Sequence, residues 1–480
     1  MLLSVSLGYN SHHMFKFLAA LALPWAVVSN PNYAPAVDVA VLGGGFSGLT
    51  AAKDIVAADK SVVVLEARDR IGGRIWDTHY PTVTSPNWVV KMGVNFSKVD
   101  DEGSSLLFFR GVLTKSSSAL DPTALPIDEA GLKELVAALE NVNTLANSLD
   151  VEAPWDHPRA KEWDSLSLEA WIKSTVNSTE ARELLALMGT LGFTEETPSI
   201  SFFSLLVNIN GSGNETVPGS IDRIGNGAGG AQEYICKGGC HQIALKVAAR
   251  LGPKIVKLNS ATRHVKETKD GYEISTDSGV FRAKKVIIAM SPPLASRIQY
   301  SPPLPAGRDQ LTQRLPMGSV IKVLARYPTP FWREEGLNGQ VLSDGGLMTT
   351  TFDNSPEDGS FGVLGGFIEA DRARSMYRKS EGEIKKAVTK EFVKYFGPKA
   401  KTATSWFIVQ WDNEEYTRGG YGVSFPPGVL SRFGPFLTKQ YRGIHFAGVE
   451  ASPYQRDYMD GAIRSGERAA KEVLAALGEA

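Results

Sequence analysis

Residues 37–48 read VDVAVLGGGFSG. A short apolar run, Val37–Leu42, enters a glycine cluster directly, and a helix-compatible stretch continues through Ala58. That is the pattern of a buried strand meeting a tight turn and then a helix. Gly43, Gly45 and Gly48 keep the G-x-G-x-x-G spacing, and Phe46 and Ser47 lie between the second and third glycines. Each glycine answers a physical demand: a tight turn, close approach of backbone to a pyrophosphate, and close helix–strand packing. A second strand, residues 61–66, ends in Glu66, eighteen residues beyond Gly48. A ribose-binding carboxylate belongs there, so the stretch predicts a βαβ unit that binds a dinucleotide.

The next residues narrow the cofactor. EARDRIGGRI, residues 66–75, adds a second glycine pair followed by Arg74, which brings backbone and a guanidinium toward the pyrophosphate. Simple nicotinamide dehydrogenases lack this extension; it resembles that of the flavin-containing amine oxidases, a group that includes monoamine and polyamine oxidases. The resemblance runs from about residue 37 to 476. It implies an α/β, two-domain fold, with a Rossmann-like FAD domain plus a mixed-sheet and helical substrate domain. On this reading residues 36–110, 234–308 and 414–480 form the discontinuous FAD domain, and 111–233 and 309–413 the substrate domain. Ala67, Arg68, Gly73 and Arg74 join Gly43, Gly45, Phe46, Ser47, Gly48 and Glu66 at FAD. Val265, on a later strand, and Gly93, in VVKMGVNF (89–96), are assigned to the same cofactor.

Three further stretches carry the likeness. RLPMGSVIKVLARYPTPFWR, residues 314–333, puts Lys322 inside an apolar strand, where an ammonium group is costly unless paired, solvated or used. The stretch is similar to monoamine oxidases, in which the lysine at this place holds a water against the flavin N5. WDNEEYTRGGYGVSFPPG, residues 411–428, places Gly420 where the mitochondrial enzymes have the cysteine that bonds FAD, so FAD is expected to be non-covalent. The same likeness makes Tyr421 one wall of an aromatic cage and sets Trp411 near the flavin. FAGVEASPYQRDYMDGA, residues 446–462, supplies Tyr458 as the other wall. There Gly448, Glu450 and Met459 are expected to contact FAD, the Met459 amide at a helix start that would favour reduced flavin. Asn95, Phe203 and Leu337 are assigned to the substrate cavity.

The implied reaction is oxidative deamination of a primary amine, long and aliphatic or an amino-polyol, to an aldehyde or ketone, ammonia and H2O2, with O2 as acceptor. Polyamine and L-amino-acid oxidation are alternatives, as is an FAD-dependent desaturase or cyclase; a flavin-binding scaffold is the non-enzymatic reading. A formal charge of −1 over 480 residues gives no footprint for nucleic acid. A homodimer is compatible with the reading. The two cysteines, Cys236 and Cys240, are poor zinc evidence, and no metal is expected; a local disulfide and two thiols both stay open. Residues 14–29 have one positive charge before a short apolar run, which reads as a secretory signal or, failing that, as part of an N-terminal arm over 1–35. Sequons at Asn95, Asn177, Asn210 and Asn214 fit secretion, though a cavity position for Asn95 argues against glycosylation there. No membrane anchor is expected, since no apolar tail follows the last helix. A Gly/Asn/Ser-rich surface loop is expected over 208–230.

Overall fold

The computed structural model describes residues 36–76, 82–83, 94–99, 102–117, 125–225, 230–231 and 233–478. Strand β1 (Val37–Leu42) is followed by helix α1 (Phe46–Ala57) and strand β2 (Val62–Leu65), the expected βαβ unit. β1 lies between two parallel neighbours, β2 and β3 (Gly279–Ala289), and β3 pairs in parallel with Ile444–Ala447. A strand covered on both faces needs continuous apolar sequence, and Val39–Leu42 are fully buried. Val256–Lys257 extends the sheet beyond β2, while the antiparallel strands Gly271–Thr276 and Thr262–Thr268, with Gln299–Ser301 at the edge, extend it beyond β3. The closing helix Met459–Ala476 packs against α1 so closely that a Cβ on Gly466 would lie 2.3 Å from the Ser47 carbonyl oxygen.

A second, seven-stranded sheet has the order Ser405–Gln410, Val320–Tyr327, Gly362–Glu369, Thr350–Asp353, Leu337–Ser343, Ser104–Phe109, Val112–Ser116. Strand alternation sorts its faces. Ile321, Val323 and Ala325 share a core with Ile384, Val388 and Phe392 of the helix Glu381–Phe396, which a Ser380–Glu383 capping box starts. Val320 and Lys322 therefore face the other way, where Val320 packs with Trp76, Phe367, Trp411 and Tyr421. Helices Glu129–Asn147, Thr179–Phe193 and Phe202–Gly211 build a separate apolar core, in which Phe202 stacks on Trp171 at 4.6 Å.

Two expectations change, and one open alternative is settled. Ser104–Phe109, grouped by sequence with residues 36–110, pairs with Leu337–Ser343 in the second sheet, because its SSLLFF run matches that sheet's buried surface. The 208–230 stretch is not simply a surface loop. Helices cover Phe202–Gly211 and Ile221–Gly225, and Gly213 and Gly219 sit so close to backbone that a Cβ would meet carbonyl oxygens at 2.4 and 1.9 Å. Cys236 and Cys240 are joined in a disulfide, which ties the strand Tyr234–Cys236 to the start of the helix His241–Leu251. Residues 14–29 and Gly93 lie outside the described residues.

Candidate active site

The turn between β1 and α1 can only be glycine at its first position. Gly43 has φ +112°, and a Cβ there would stand 2.6 Å from the Ala289 carbonyl oxygen. Gly48 works from behind, since a Cβ on it would strike the Gly43 carbonyl oxygen at 2.0 Å; this is the helix–strand approach that the third glycine allows. The second glycine turn faces the first, and a Cβ on Gly45 would come within 4.0 Å of the Gly73 Cα. The Gly72 amide donates to the Gly44 carbonyl oxygen at 2.9 Å and joins the two turns, while the buried Glu66 accepts the Gly44 N–H at Oε2 (2.7 Å) and the Arg68 N–H at Oε1 (2.9 Å). Ser47 Oγ accepts the Gly448 amide at 2.9 Å, joining α1 to the segment after the last strand of the sheet.

These turns border one elongated cleft with ≈ 1490 Å³ of atom-free space, its open mouth included. Gly43, Gly45, Phe46, Ser47, Glu66 and Ala67 line it, as do Arg68, Gly73, Arg74, Gly448 and Met459. Tyr421 and Tyr458 border the same cleft from two different segments. Arg74 does more than face it: Nη1 donates to the Tyr421 carbonyl oxygen at 2.8 Å and pairs with Glu450 Oε1 at 2.9 Å. Burial works against the Arg74 charge, but Glu450 outweighs it and holds the guanidinium charged. Glu450, 1% exposed, stands behind Arg74 rather than on the cleft wall.

The FAD expected here fits this lining. The two glycine turns form a cradle that side chains would fill, and it opens at the N-terminus of α1. Ser291 Oγ and Asp457 Oδ1 belong to residues on the cleft, are buried, and have no hydrogen-bond partner in the protein. A bound group with many donors and acceptors would satisfy them.

Behind Tyr421 stands the sheet face that carries Lys322, which reaches that tyrosine through Val320 and Phe367 and does not itself line the cleft. Lys322 is half-buried, and its Nζ lies 6.0 Å from the Phe367 ring centroid. Phe367 meets Tyr421 edge-on, with centroids 5.2 Å apart. Trp411 is buried and packs edge-on against Trp76 at 6.4 Å. Burial raises the Tyr421 and Tyr458 phenols above their ordinary range, so both rings remain neutral at physiological pH.

Besides Lys322, Trp411 and Glu450, which do not line the cleft themselves, four expected positions are not brought to it. Val265 points into the apolar core beneath the first sheet, where it is 1% exposed; three residues earlier on the same segment, Ala261, Thr262 and Arg263 line the cleft instead. Phe203 and Leu337 are buried in the helical and second-sheet cores. Asn95 is exposed ahead of the strand Phe96–Lys98, so the cavity argument against glycosylation there has no support in its surroundings.

Two acids were missed. Asp457, beside Tyr458 on the cleft, has its carboxyl raised to about 6 by burial and by the nearby Glu450. Glu369 is fully buried, and the Tyr421 hydroxyl donates to its Oε1 at 2.7 Å. Burial pushes its carboxyl up to about 8. Adjacency to Tyr458 is a sequence signal for Asp457. Glu369 had none: only the strand register, which sets it opposite Val320, brings it to this face.

Comparison with known proteins agrees with this geometry. The model of the family described as flavin containing amine oxidoreductase matches residues 46–474. A probable flavin-containing monoamine oxidase A of Dictyostelium discoideum is 33% identical over 91% of this chain and 97% of its own. The solved cyclohexylamine oxidase from Brevibacterium oxydans IH-35A superposes with a TM-score of 0.85 at 28% identity, covering 92% of this chain and all of that one. A wild-type putrescine oxidase bound to putrescine gives 0.83 at 30% identity, over 92% of this chain and 100% of that one.

Proposed function

This chain belongs to the flavin-containing amine oxidoreductases, FAD-dependent enzymes of oxidative deamination, and on that premise we propose that it oxidises a primary monoamine, long and aliphatic or an amino-polyol, with non-covalent FAD and O2. The observation that carries the reading is that Tyr421 and Tyr458, from separate segments, border the same cleft as the Gly43–Ser47 turn.

When bound, FAD supplies a two-electron acceptor that O2 reoxidises to give H2O2. The chain's own residues do the rest. The neutral rings of Tyr421 and Tyr458 present electron-rich faces that align an amine and keep bulky groups off its nitrogen. Arg74 fixes the backbone that carries Tyr421. Lys322 brings an ammonium group to the Phe367–Tyr421 face, where it would orient a water for proton movement. Above about pH 6 Asp457 carries a negative charge beside Tyr458, set against the guanidinium groups of Arg74 and Arg456. Gly420 offers no thiol for a covalent flavin bond.

A second reading, a diamine substrate, is favoured by that same Asp457 carboxyl, because a distal ammonium needs an anionic partner. Anaerobic bleaching of the flavin by a panel of amines separates the readings. Bleaching by a long alkylamine and benzylamine, with spermidine and leucine inert, is the expected result. Bleaching by spermidine alone selects the diamine reading, and no bleaching with flavin plainly bound favours a desaturase or cyclase. Acid precipitation should release the flavin to the supernatant.

We further propose that residues 14–29 direct secretion. The Cys236–Cys240 disulfide and the exposed sequon at Asn177 support this, since both suit an oxidising compartment. Among the described residues no helix is long and apolar enough to cross a membrane.

A further inference from the structure

The contact between Tyr421 and Glu369 is out of keeping with a purely apolar wall. Glu369 ends the strand Gly362–Glu369 and is fully buried. Its Oε1 accepts the Tyr421 hydroxyl at 2.7 Å, while its Oε2 has no hydrogen-bond partner in the protein. A buried carboxyl whose one close hydrogen bond is to a phenol, with Thr349 and Arg372 nearby, is a costly arrangement for stability alone. An apolar residue there would pack at lower cost.

We propose that Glu369 is a positioning residue: it holds the Tyr421 ring through the hydroxyl, and the charge it carries or loses changes how electron-rich that wall of the cleft is. The proposal rests on the amine-oxidising role given above to Tyr421. Phe367, two residues earlier on the same strand, meets the Tyr421 ring edge-on, so ring and hydroxyl are both held from one strand. With Glu369 protonated, Tyr421 makes a neutral hydrogen bond. With Glu369 ionised, the bond is charge-assisted and about twice as strong, and electron density on the ring rises.

The groups around the carboxyl favour the neutral form at neutral pH. Burial dominates and raises it to about 8; Tyr421, Thr349 and Arg372 pull the other way. From the loop side Tyr458 adds to the barrier against ionising Tyr421. From the next strand Lys322 faces Phe367, its directly opposed partner. Arg374, on the short helix after Glu369, pairs with both Asp371 and Glu195. Asp412 is held by Ser319 and the Val320 amide.

The test compares wild type with Glu369→Gln and Tyr421→Phe, as holoenzymes. Anaerobic flavin-reduction rates are measured at saturating alkylamine between about pH 6 and about pH 10. The ratio of wild-type to E369Q rate cancels ionisation of the amine itself, and it should rise about fivefold across pH 8. The wild-type to Y421F ratio should rise with it. Independently of turnover, the infrared difference spectrum of wild type minus E369Q should show a protonated-carboxyl C=O band that vanishes above the same pH. A flat rate ratio, or a carboxylate already ionised at about pH 6, overturns the proposal. Absence of bleaching by any amine overturns the functional reading instead, while the infrared titration still judges Glu369.

Discussion

Arg74 and Glu450 form an ion pair at 2.9 Å with the glutamate 1% exposed, and the same Arg74 nitrogen holds the Tyr421 carbonyl at 2.8 Å. The pair joins the second glycine turn to the segment after Ile444–Ala447, so cofactor site and aromatic wall share one fastening. Arg74→Met leaves a buried carboxylate without its partner, which costs about 3 kcal/mol. Thermal melting should show the lower stability, and flavin titration a weaker affinity; a lysine should restore part of both, because it keeps the charge and loses the fork.

Gly43→Ala tests the cradle. The new Cβ meets the Ala289 carbonyl oxygen at 2.6 Å on a backbone with φ +112°, and the strain is about 1–3 kcal/mol. The purified variant should be colourless or nearly so, with a lower Tm. Full flavin content would show that the turn does not approach the cofactor.

Lys322→Met keeps the strand's apolar packing and removes the ammonium group from the Phe367–Tyr421 face. Flavin should stay bound, while rapid-mixing traces show reduction or reoxidation slowed about tenfold or more. Unchanged rates in both half-reactions would remove Lys322 from the chemistry.

Stability should depend on pH through the two buried acids. Their native carboxyls titrate at about 8 for Glu369 and about 6 for Asp457, above the ordinary carboxylate range. The native state therefore binds more protons than the unfolded chain between that range and pH 8. The contribution is full below the ordinary carboxylate range and is lost as pH rises, at up to about 1.4 kcal/mol per unit for each carboxyl. Melts across that window should fall toward pH 8 for the wild type, and E369Q should flatten the curve between pH 6 and pH 8.

What could be read in the chain follows from how local the signal is. The strand, the glycines and Glu66 lie within thirty residues, and each has a steric or hydrogen-bonding reason for its identity, so the dinucleotide site was legible. Tyr421 and Tyr458 were legible only through likeness to a family, since a tyrosine in a glycine-rich loop carries no signal of its own. Phe203 and Leu337 show the limit: an apolar residue looks the same whether it faces a cavity or a core, and both face cores. Val265 lies off the cleft because the cleft borders only the start of the segment, Ala261–Arg263, and two residues further along the strand Thr262–Thr268 Val265 is already in the apolar core. Glu369 depends on the pairing of Val320 with Glu369 and on a loop some fifty residues further along, which is long-range information.

Amine oxidation in this cleft depends most directly on the two tyrosines. Stopped-flow reduction of bound flavin by a long alkylamine, without oxygen, should slow by about 100-fold or more in a Tyr421→Ala, Tyr458→Ala double variant that still binds flavin. Wild-type reduction rates in that flavin-replete variant would remove both tyrosines from the chemistry and place amine oxidation somewhere other than this cleft.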